Sequence, residues 1–446
     1  MEPEAWFRQR GYLHFDRPVS FSFAHDYVTN PKRVEKHSFW PFLSYAKSVS
    51  RYLKGERRNT VKERPICYAS HLDSHVYAYY SAILTQRYEE RIYGTPLADA
   101  ALAYRRLGKS NLDFAHEAFL SLHRLAQANG PALAIAFDVS AFFDTLDHSL
   151  VKQAWEEVLG VPQLPGDHYK VFRSITRFST VERDEVLALF DLSAKRSRRS
   201  PRICTPDEFR KRVRTAGFVR TNATGLGIPQ GSPMSAVLSN LYMQDFDRRM
   251  TALARDVGGE YRRYSDDILW ICPAQARQEV LDQVTERLKA VGLAENSQKR
   301  EESEFSWVGG ALIAERPLQY LGLVYDGRRT LIRSQTLARY SRRMKRGVYC
   351  ASRAADENSE RRLLYRKKLY EDYTHLGRRN FISYAQLALR TTEDPAIRGQ
   401  VRRHWRRLHA EIDRREAALS GGSVPPGPTP VANGDAETVE ASDDES

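Results

Sequence analysis

Two short acidic segments stand where carboxylates meet apolar strands. In Phe137-Asp138-Val139-Ser140-Ala141-Phe142-Phe143-Asp144, Asp138 closes the apolar run 132–137. In Tyr261-Arg262-Arg263-Tyr264-Ser265-Asp266-Asp267-Ile268-Leu269-Trp270-Ile271, adjacent acids occupy a turn between strand-like flanks. Taken singly, each has a plain explanation: Asp closes strands as a turn former or helix cap, and an Asp pair suits a polar turn. Against that, Ile268 follows the pair at once, so the turn borders a core strand. Carboxylates massed there repel one another and are best relieved by a divalent cation. Between the acidic segments lies GLGIPQGSPMSAVLSN, residues 225–240. It reads as a tight loop entering a helix with small residues on its early turns. Gly and Ser there would admit a template base or nucleotide close to the backbone; a Pro/Gly turn that merely precedes a helix is the plainer alternative.

The elements that must position these residues follow from periodicity. Residues 132–137 are continuously apolar over strand length, which predicts a central strand after the break at Pro131. Residues 261–272 alternate as two short strands around a turn. Helices are predicted over 70–91, over 111–128 and from Pro233 to about Met250. The stretch 150–225 reads as mostly helical, interrupted by a basic surface loop at Lys195-Arg196-Ser197-Arg198-Arg199. Residues 1 to about 53 mix aromatics with turn formers and read as ordered but irregular. From 336 to 419 the chain is rich in Arg and helix formers, with Pro395 as a break. Beyond 421 it carries Pro, Gly, Ser and acid with almost no large apolar residue, the composition of a disordered tail.

Composition narrows the class. The chain has 446 residues, 41% of them hydrophobic, enough for two or three packed substructures. Its formal charge is +13, and the six acids of 421–446, unaccompanied by Lys or Arg, leave +19 on the rest. A body that basic suits a polyanionic partner, with a merely soluble basic surface as the alternative. The four cysteines, Cys67, Cys204, Cys272 and Cys350, form no CxxC pair, which argues against a zinc ribbon or disulfide framework and for a reducing cytoplasm. The N-terminus is acidic where a signal peptide needs positive charge, and no apolar run approaches a membrane span, so neither export nor anchoring is expected.

The order strand-D-x-x-x-F-F-D, then IPQGSP, then Y-x-D-D resembles the palm of bacterial reverse transcriptases. Gly292-Leu293 with Asn296 and Lys299 resembles the family's segment after the catalytic hairpin, and Tyr320-Leu321-Gly322-Leu323 its primer-grip segment. The resemblance implies an α+β right-hand polymerase fold: an N-terminal extension over 1–60, fingers and palm (an antiparallel sheet flanked by helices) over 61–335, a basic helical thumb over 336–420 and a disordered acidic tail over 421–446. It implies two Mg²⁺ ions, with Mn²⁺ as a substitute, held by Asp138 and Asp266, and Asp267 as a further ligand or electrostatic support. Phe143 stands where the family sets an aromatic ring against the nucleotide sugar, excluding a 2′-hydroxyl; ordinary core packing is its alternative. Gln230 and Gly231 would line the nucleotide and template pocket, and Arg64 and Arg105 would contact phosphate. Lys299 would protonate pyrophosphate or merely pair with phosphate.

The implied partners are an RNA template, a DNA product and dNTPs, with no membrane; the motifs do not bear on oligomeric state. The Cys/His-rich endonuclease region typical of group II intron enzymes and the NAxxH and VTG motifs of retron enzymes are absent. RGYLHFD, ASHLDSHVYAYY, LPGDHY and YLGLVYDG are most similar to the unassigned bacterial group implicated in phage defence. That likeness implies a dedicated noncoding RNA template. A template-independent or protein-primed nucleotidyl transferase and a non-catalytic scaffold are the competing classes; an RNA-dependent RNA polymerase is disfavoured by Phe143.

Overall fold

The computed structural model describes residues 5–53, 58–192, 201–357 and 364–420. The expected basic loop at 195–199 and the acidic tail lie outside the described residues. Twelve strands are named in chain order: β1 (Phe42–Leu53), β2 (Arg58–Tyr68), β3 (Ala132–Asp138), β4 (Ser179–Glu182), β5 (Arg220–Thr221), β6 (Glu260–Tyr264), β7 (Asp267–Pro273), β8 (Glu301–Val308), β9 (Ala311–Ala314), β10 (Leu318–Tyr320), β11 (Leu323–Tyr325) and β12 (Thr330–Ile332). They form three sheets, ordered β6-β7-β3-β8-β9, β2-β1-β4-β5 and β10-β11-β12.

In the five-stranded sheet every neighbouring pair is antiparallel, and β3 lies at its centre between β7 and β8. Both faces of β3 are covered, which explains its unbroken apolar run. Its period of two still divides the residues. Leu133, Ile135 and Phe137 join Ile268 and Trp270 in one core with helices His71–Ile92 and Pro233–Asp256. Ala132 and Ala134 join Leu269 and Ile271 in another, with helix Asn111–Asn129 and the β10–β12 sheet. Alanines on that second face let the helix and the small sheet approach closely.

The helices begin where capping chemistry places them. Ser70 accepts a hydrogen bond from the Asp73 amide at the start of His71–Ile92. Ser232 caps Pro233–Asp256, whose Pro233 at the first position gives up an amide with no partner in any helix. That helix runs past the expected Met250 to Asp256, because Phe246, Met250 and Ala254 continue its buried stripe.

One expectation needs correction. The region before 53 is not irregular throughout: it contains helices Phe21–Val28 and Pro31–Glu35, and β1 forms a long hairpin with β2, so the boundary at residue 60 falls inside β2. The stretch 150–225 is mostly helical over its described residues, as expected, with two short strands besides. β4 pairs in parallel with β1 and β5 pairs with β4, contacts too short and too remote in sequence to leave a periodic signal. The Arg-rich region is helical, from Ser334–Glu357 to His404–Ser420, and Pro395 starts a helix at its first position. Among the described residues no helix is long and apolar enough to cross a membrane, and the four cysteines are unpaired.

One buried ion pair ties the β6–β7 hairpin to the long helix. Arg263 on β6 donates from Nε to Asp247 Oδ1 at 2.7 Å and from Nη2 to Oδ2 at 2.6 Å, with both side chains fully buried. Tyr261 Oη donates to Asp247 at 2.6 Å, and Arg263 also reaches Asn240 Oδ1 and the Ser265 carbonyl. Burial alone would lower the Arg263 pKa; Asp247 more than offsets this and holds it above its ordinary value. Replacing Asp247 with Ala strands a buried guanidinium, with an expected loss of about 3–5 kcal/mol in urea unfolding, whereas the D247L/R263M pair loses far less. A single-mutant loss as small as that of the pair would contradict this role.

Candidate active site

The hairpin and the central strand bring the acids together. Asp138, the last residue of β3, lies directly across the ladder from Asp267, the first residue of β7. Tyr264 pairs with Asp267, leaving Ser265 and Asp266 as a two-residue turn, and the Asp266 carbonyl accepts the Val139 amide at 3.2 Å. Ser265 holds a left-handed backbone, φ 60°, where glycine is the usual occupant. Its strain is opposed by two partners: Tyr104 Oη lies 3.0 Å from its Oγ, and Arg263 donates to its carbonyl.

A third segment closes the site from the other side of β3. The Asn296 amide donates to the Asp138 carbonyl at 2.7 Å, and the Ser140 amide to Ala294 O at 2.9 Å. This brings Lys299 Nζ into an ion pair with Asp138 Oδ2, both groups partly exposed. Asp267 opens on solvent, yet desolvation by the protein around it, then the charges of Asp266 and Asp138, push its carboxyl up to about 6. Arg333 and Lys299 act in the opposite sense. As the side chains stand, no group of three or more His, Cys, Asp or Glu among the described residues is arranged to hold a metal ion. The Lys299 ammonium already serves as counter-charge to Asp138.

The glycine-rich loop is stitched to the segment after Asp138. Gly227 N donates to Leu146 O and Ile228 N to Phe143 O, each at 2.8 Å, and His148 N donates to Gly225 O. At the far end the Cys67 amide donates to the Gln230 carbonyl at 2.7 Å, joining the loop to β2. Gly227 and Gly231 both have positive φ, 81° and 104°; a Cβ would lie 2.8 Å from Asp144 O at the first and 2.5 Å from Cys67 O at the second. Gln230 is half-buried and Gly231 exposed beside it. Phe142 enters the core while Phe143 packs at its margin, half-buried, the reverse of an arrangement with Phe143 inside.

The arginines part company. Arg64 pairs with Lys47 along the β1–β2 hairpin, and its side chain lies outside the described residues. Arg105 is not available to phosphate: Nε and Nη2 grip Glu89 at 2.7 and 2.8 Å, Nη1 donates to the Ala98 and Ala101 carbonyls, and the side chain is 4% exposed. Its expected phosphate contact is therefore withdrawn, because its donors are spent inside the protein. Sequence reasoning also passed over Tyr104, Asp247 and Arg333. Tyr104 and Ser265 are 161 residues apart, and none of the three sits in a local pattern that marks it.

Residues 54–325 match the family model described as reverse transcriptase (RNA-dependent DNA polymerase), a span that contains every acid of the site. The chain belongs to the reverse transcriptase family, a class of nucleotidyltransferases. No curated protein matches it. Among solved structures it is similar to apo telomerase from Candida tropicalis, at 11% identity over 89% of this chain and 62% of that one, with a TM-score of 0.41. Telomerase from Candida albicans in complex with a TWJ fragment of telomeric RNA matches at 11% identity over 88% and 58%, with a TM-score of 0.43. This chain thus spans about three fifths of the length of those telomerase chains.

Substituting Gly231 with Ala is expected to destabilise the fold by about 1–3 kcal/mol, since backbone strain and the Cys67 carbonyl both oppose it. Gly225→Ala, with nothing within 4 Å of its Cβ, is expected to lose only about 1 kcal/mol from its left-handed backbone. Thermal melts of the two variants check the order; equal losses would mean that the loop gives way at Cys67.

Proposed function

We propose that this chain is an RNA-templated DNA polymerase that extends a primer 3′-hydroxyl with dNTPs, and that the five-stranded sheet is its palm. The observation that carries the reading is the facing of Asp138 and Asp267 across the β3–β7 ladder with Asp266 in the adjoining turn. On this reading the β1–β2 hairpin and the helices near it are fingers, and the Arg-rich helices after 334 are a thumb that follows a template–product duplex by phosphate contacts.

The acids present fit a divalent ion. They are hard oxygen donors, desolvation and then the charges of Asp266 and Asp138 push Asp267 up to about 6, and the counter-charge at Asp138 is a lysine. Asp138, Asp266 and Asp267 would hold Mg²⁺, with Mn²⁺ as substitute; two bound ions supply Lewis acidity at the primer hydroxyl and at the leaving phosphates. The remaining work falls to the chain. The primer 3′-hydroxyl gives up its proton to water, and its oxygen forms a bond to the α-phosphorus of the dNTP as the bond to pyrophosphate breaks. Lys299, freed from Asp138, stands as proton donor to the departing pyrophosphate. Gln230 and Gly231 line the nucleotide pocket, where a bare backbone lets the base pair approach. Phe143, at the margin of the core and held to the glycine loop through its carbonyl, sets a ring against the sugar. The likeness of the flanking segments to defence-associated enzymes supports a role in antiphage defence with a noncoding RNA template.

Asp266→Asn and Asp267→Asn are each expected to lower primer extension on an RNA template by roughly 10³-fold or more, with the fold retained by circular dichroism. Persistent synthesis in either variant would displace the active site. Phe143→Ala is expected to raise ribonucleotide relative to deoxyribonucleotide incorporation by roughly tenfold or more in competition assays, and an unchanged ratio would remove Phe143 from the sugar pocket. Sequencing RNA and DNA that co-purify with the wild-type chain tests the template assignment: a defined noncoding RNA with complementary DNA is expected, and unrelated nucleic acid would refute it.

A further inference from the structure

A cluster of rings stands where helix His404–Ser420 begins, far along the chain from the acids. Trp405 stacks on Tyr370 with ring centroids 5.2 Å apart, and His409 packs against both, 4.7 Å from Trp405 and 5.6 Å from Tyr370. The start of that helix is thereby tied to helix Arg366–Tyr373. At the edge of the cluster His404 Nε2 and His375 Nδ1 face each other at 3.3 Å, with the two ring planes 83° apart. The other nitrogen of His404 sets its tautomer. Nδ1 lies 2.8 Å from the Val401 carbonyl, which can only accept, so Nδ1 carries a proton and Nε2 presents a lone pair. His375 sits in a braced turn. Asn380 Nδ2 donates to the Glu371 and Thr374 carbonyls, each at 2.7 Å, and the Leu376 amide donates to Thr374 Oγ1 at 3.2 Å.

We propose that His375 and His404 form a zinc-binding site that clips the turn after Tyr373 to the start of helix His404–Ser420. A separation of 3.3 Å is long for a hydrogen bond between ring nitrogens. It is the separation that two imidazole nitrogens take up on one tetrahedral ion, because bonds of about 2.0–2.1 Å at the tetrahedral angle place them about 3.3–3.4 Å apart. A ligand histidine ordinarily donates its other N–H to a carbonyl or carboxylate, which fixes the ring, and Val401 does this for His404. His375 is exposed and His404 half-buried, so an ion reaches both from solvent. No third His, Cys, Asp or Glu among the described residues joins the pair, and water completes the shell. Imidazole nitrogen selects zinc, copper or nickel over magnesium, which keeps this site chemically apart from the carboxylates of Asp138, Asp266 and Asp267. The exposed Arg402, Arg403, Arg406 and Arg407 oppose a further cation, a repulsion that salt screens at the surface. A direct hydrogen bond between the two rings is the competing account, and it predicts no response to zinc.

The test uses the full chain in a buffer with excess Mg²⁺, into which zinc chloride is titrated by calorimetry. One zinc per chain is expected at this site, and H375A and H404A are each expected to weaken it roughly tenfold or more, since loss of even an outer partner of a metal site has an effect of that order. The Tm of wild type is expected to rise with zinc, and by more than that of either variant. Because H404A could disturb the ring cluster, wild type alone is also treated with diethyl pyrocarbonate and the modified histidines are mapped by mass spectrometry. Zinc is expected to protect His375 and His404 and to leave the remaining reactive histidines unprotected, while inorganic phosphate protects neither. Zinc affinity unchanged in H375A, protection of other histidines in place of these two, or protection by phosphate as strong as by zinc would overturn the assignment. Each of these outcomes leaves the polymerase reading standing, because the two sites share no residue.

Discussion

The Arg263–Asp247 pair is the interaction on which the rest of the site depends. A fully buried guanidinium must be matched by a carboxylate with both oxygens in place, and here that carboxylate lies far along the helix that begins just after the glycine loop. The pair therefore couples two motifs that are separate in sequence. If the helix shifted along its axis, Asp247 would leave Arg263, and Arg263 would release the Ser265 carbonyl. The turn bearing Asp266 would then be free to relax from its left-handed strain. The loop ahead of the same helix is fixed at its other end by Gly231 against the Cys67 carbonyl, so one helix ties the glycine loop to the acidic turn.

The electrostatics of the site run against those of the whole. A chain of formal charge +13 gathers three acids at one point, where desolvation by the surrounding protein and mutual repulsion raise Asp267. Lys299 and Arg333 answer that repulsion in different ways. Lys299 touches Asp138 directly, and a lysine on a flexible stem exchanges readily with a stronger cation. Arg333 makes no ion pair with Asp267, and its backbone is held by Gly322 and Thr336.

Small residues decide how closely the layers approach. Ala132 and Ala134 on one face of β3, with Leu133 and Ile135 on the other, give the central strand a thin side and a thick side. The helix and small sheet come in on the thin side, where Leu318, Tyr320, Leu323 and Ile332 join the same core. Larger residues at those alanines would hold that sheet away from the acids without disturbing β3 itself.

What the sequence by itself determined was local and periodic. The apolar run ending in Asp138, the alternation around Asp266 and Asp267, the Ser-Pro start of the long helix and the order of the three motifs follow from side-chain period and capping, which act within a few residues. Tertiary structure alone decided which remote groups meet. Arg64 and Arg105 look alike in sequence, yet Arg105 is drawn into Glu89 and two carbonyls, while Arg333, in no recognised motif, lowers the carboxyl of Asp267 by its charge. The pairing of β1 with β4, the contact of Tyr104 with Ser265 and the match of Asp247 to Arg263 belong to the same class. An arginine carries no sign of its partner; the carboxylate or phosphate it binds is chosen by how the layers pack, and that is settled only when the whole chain has folded.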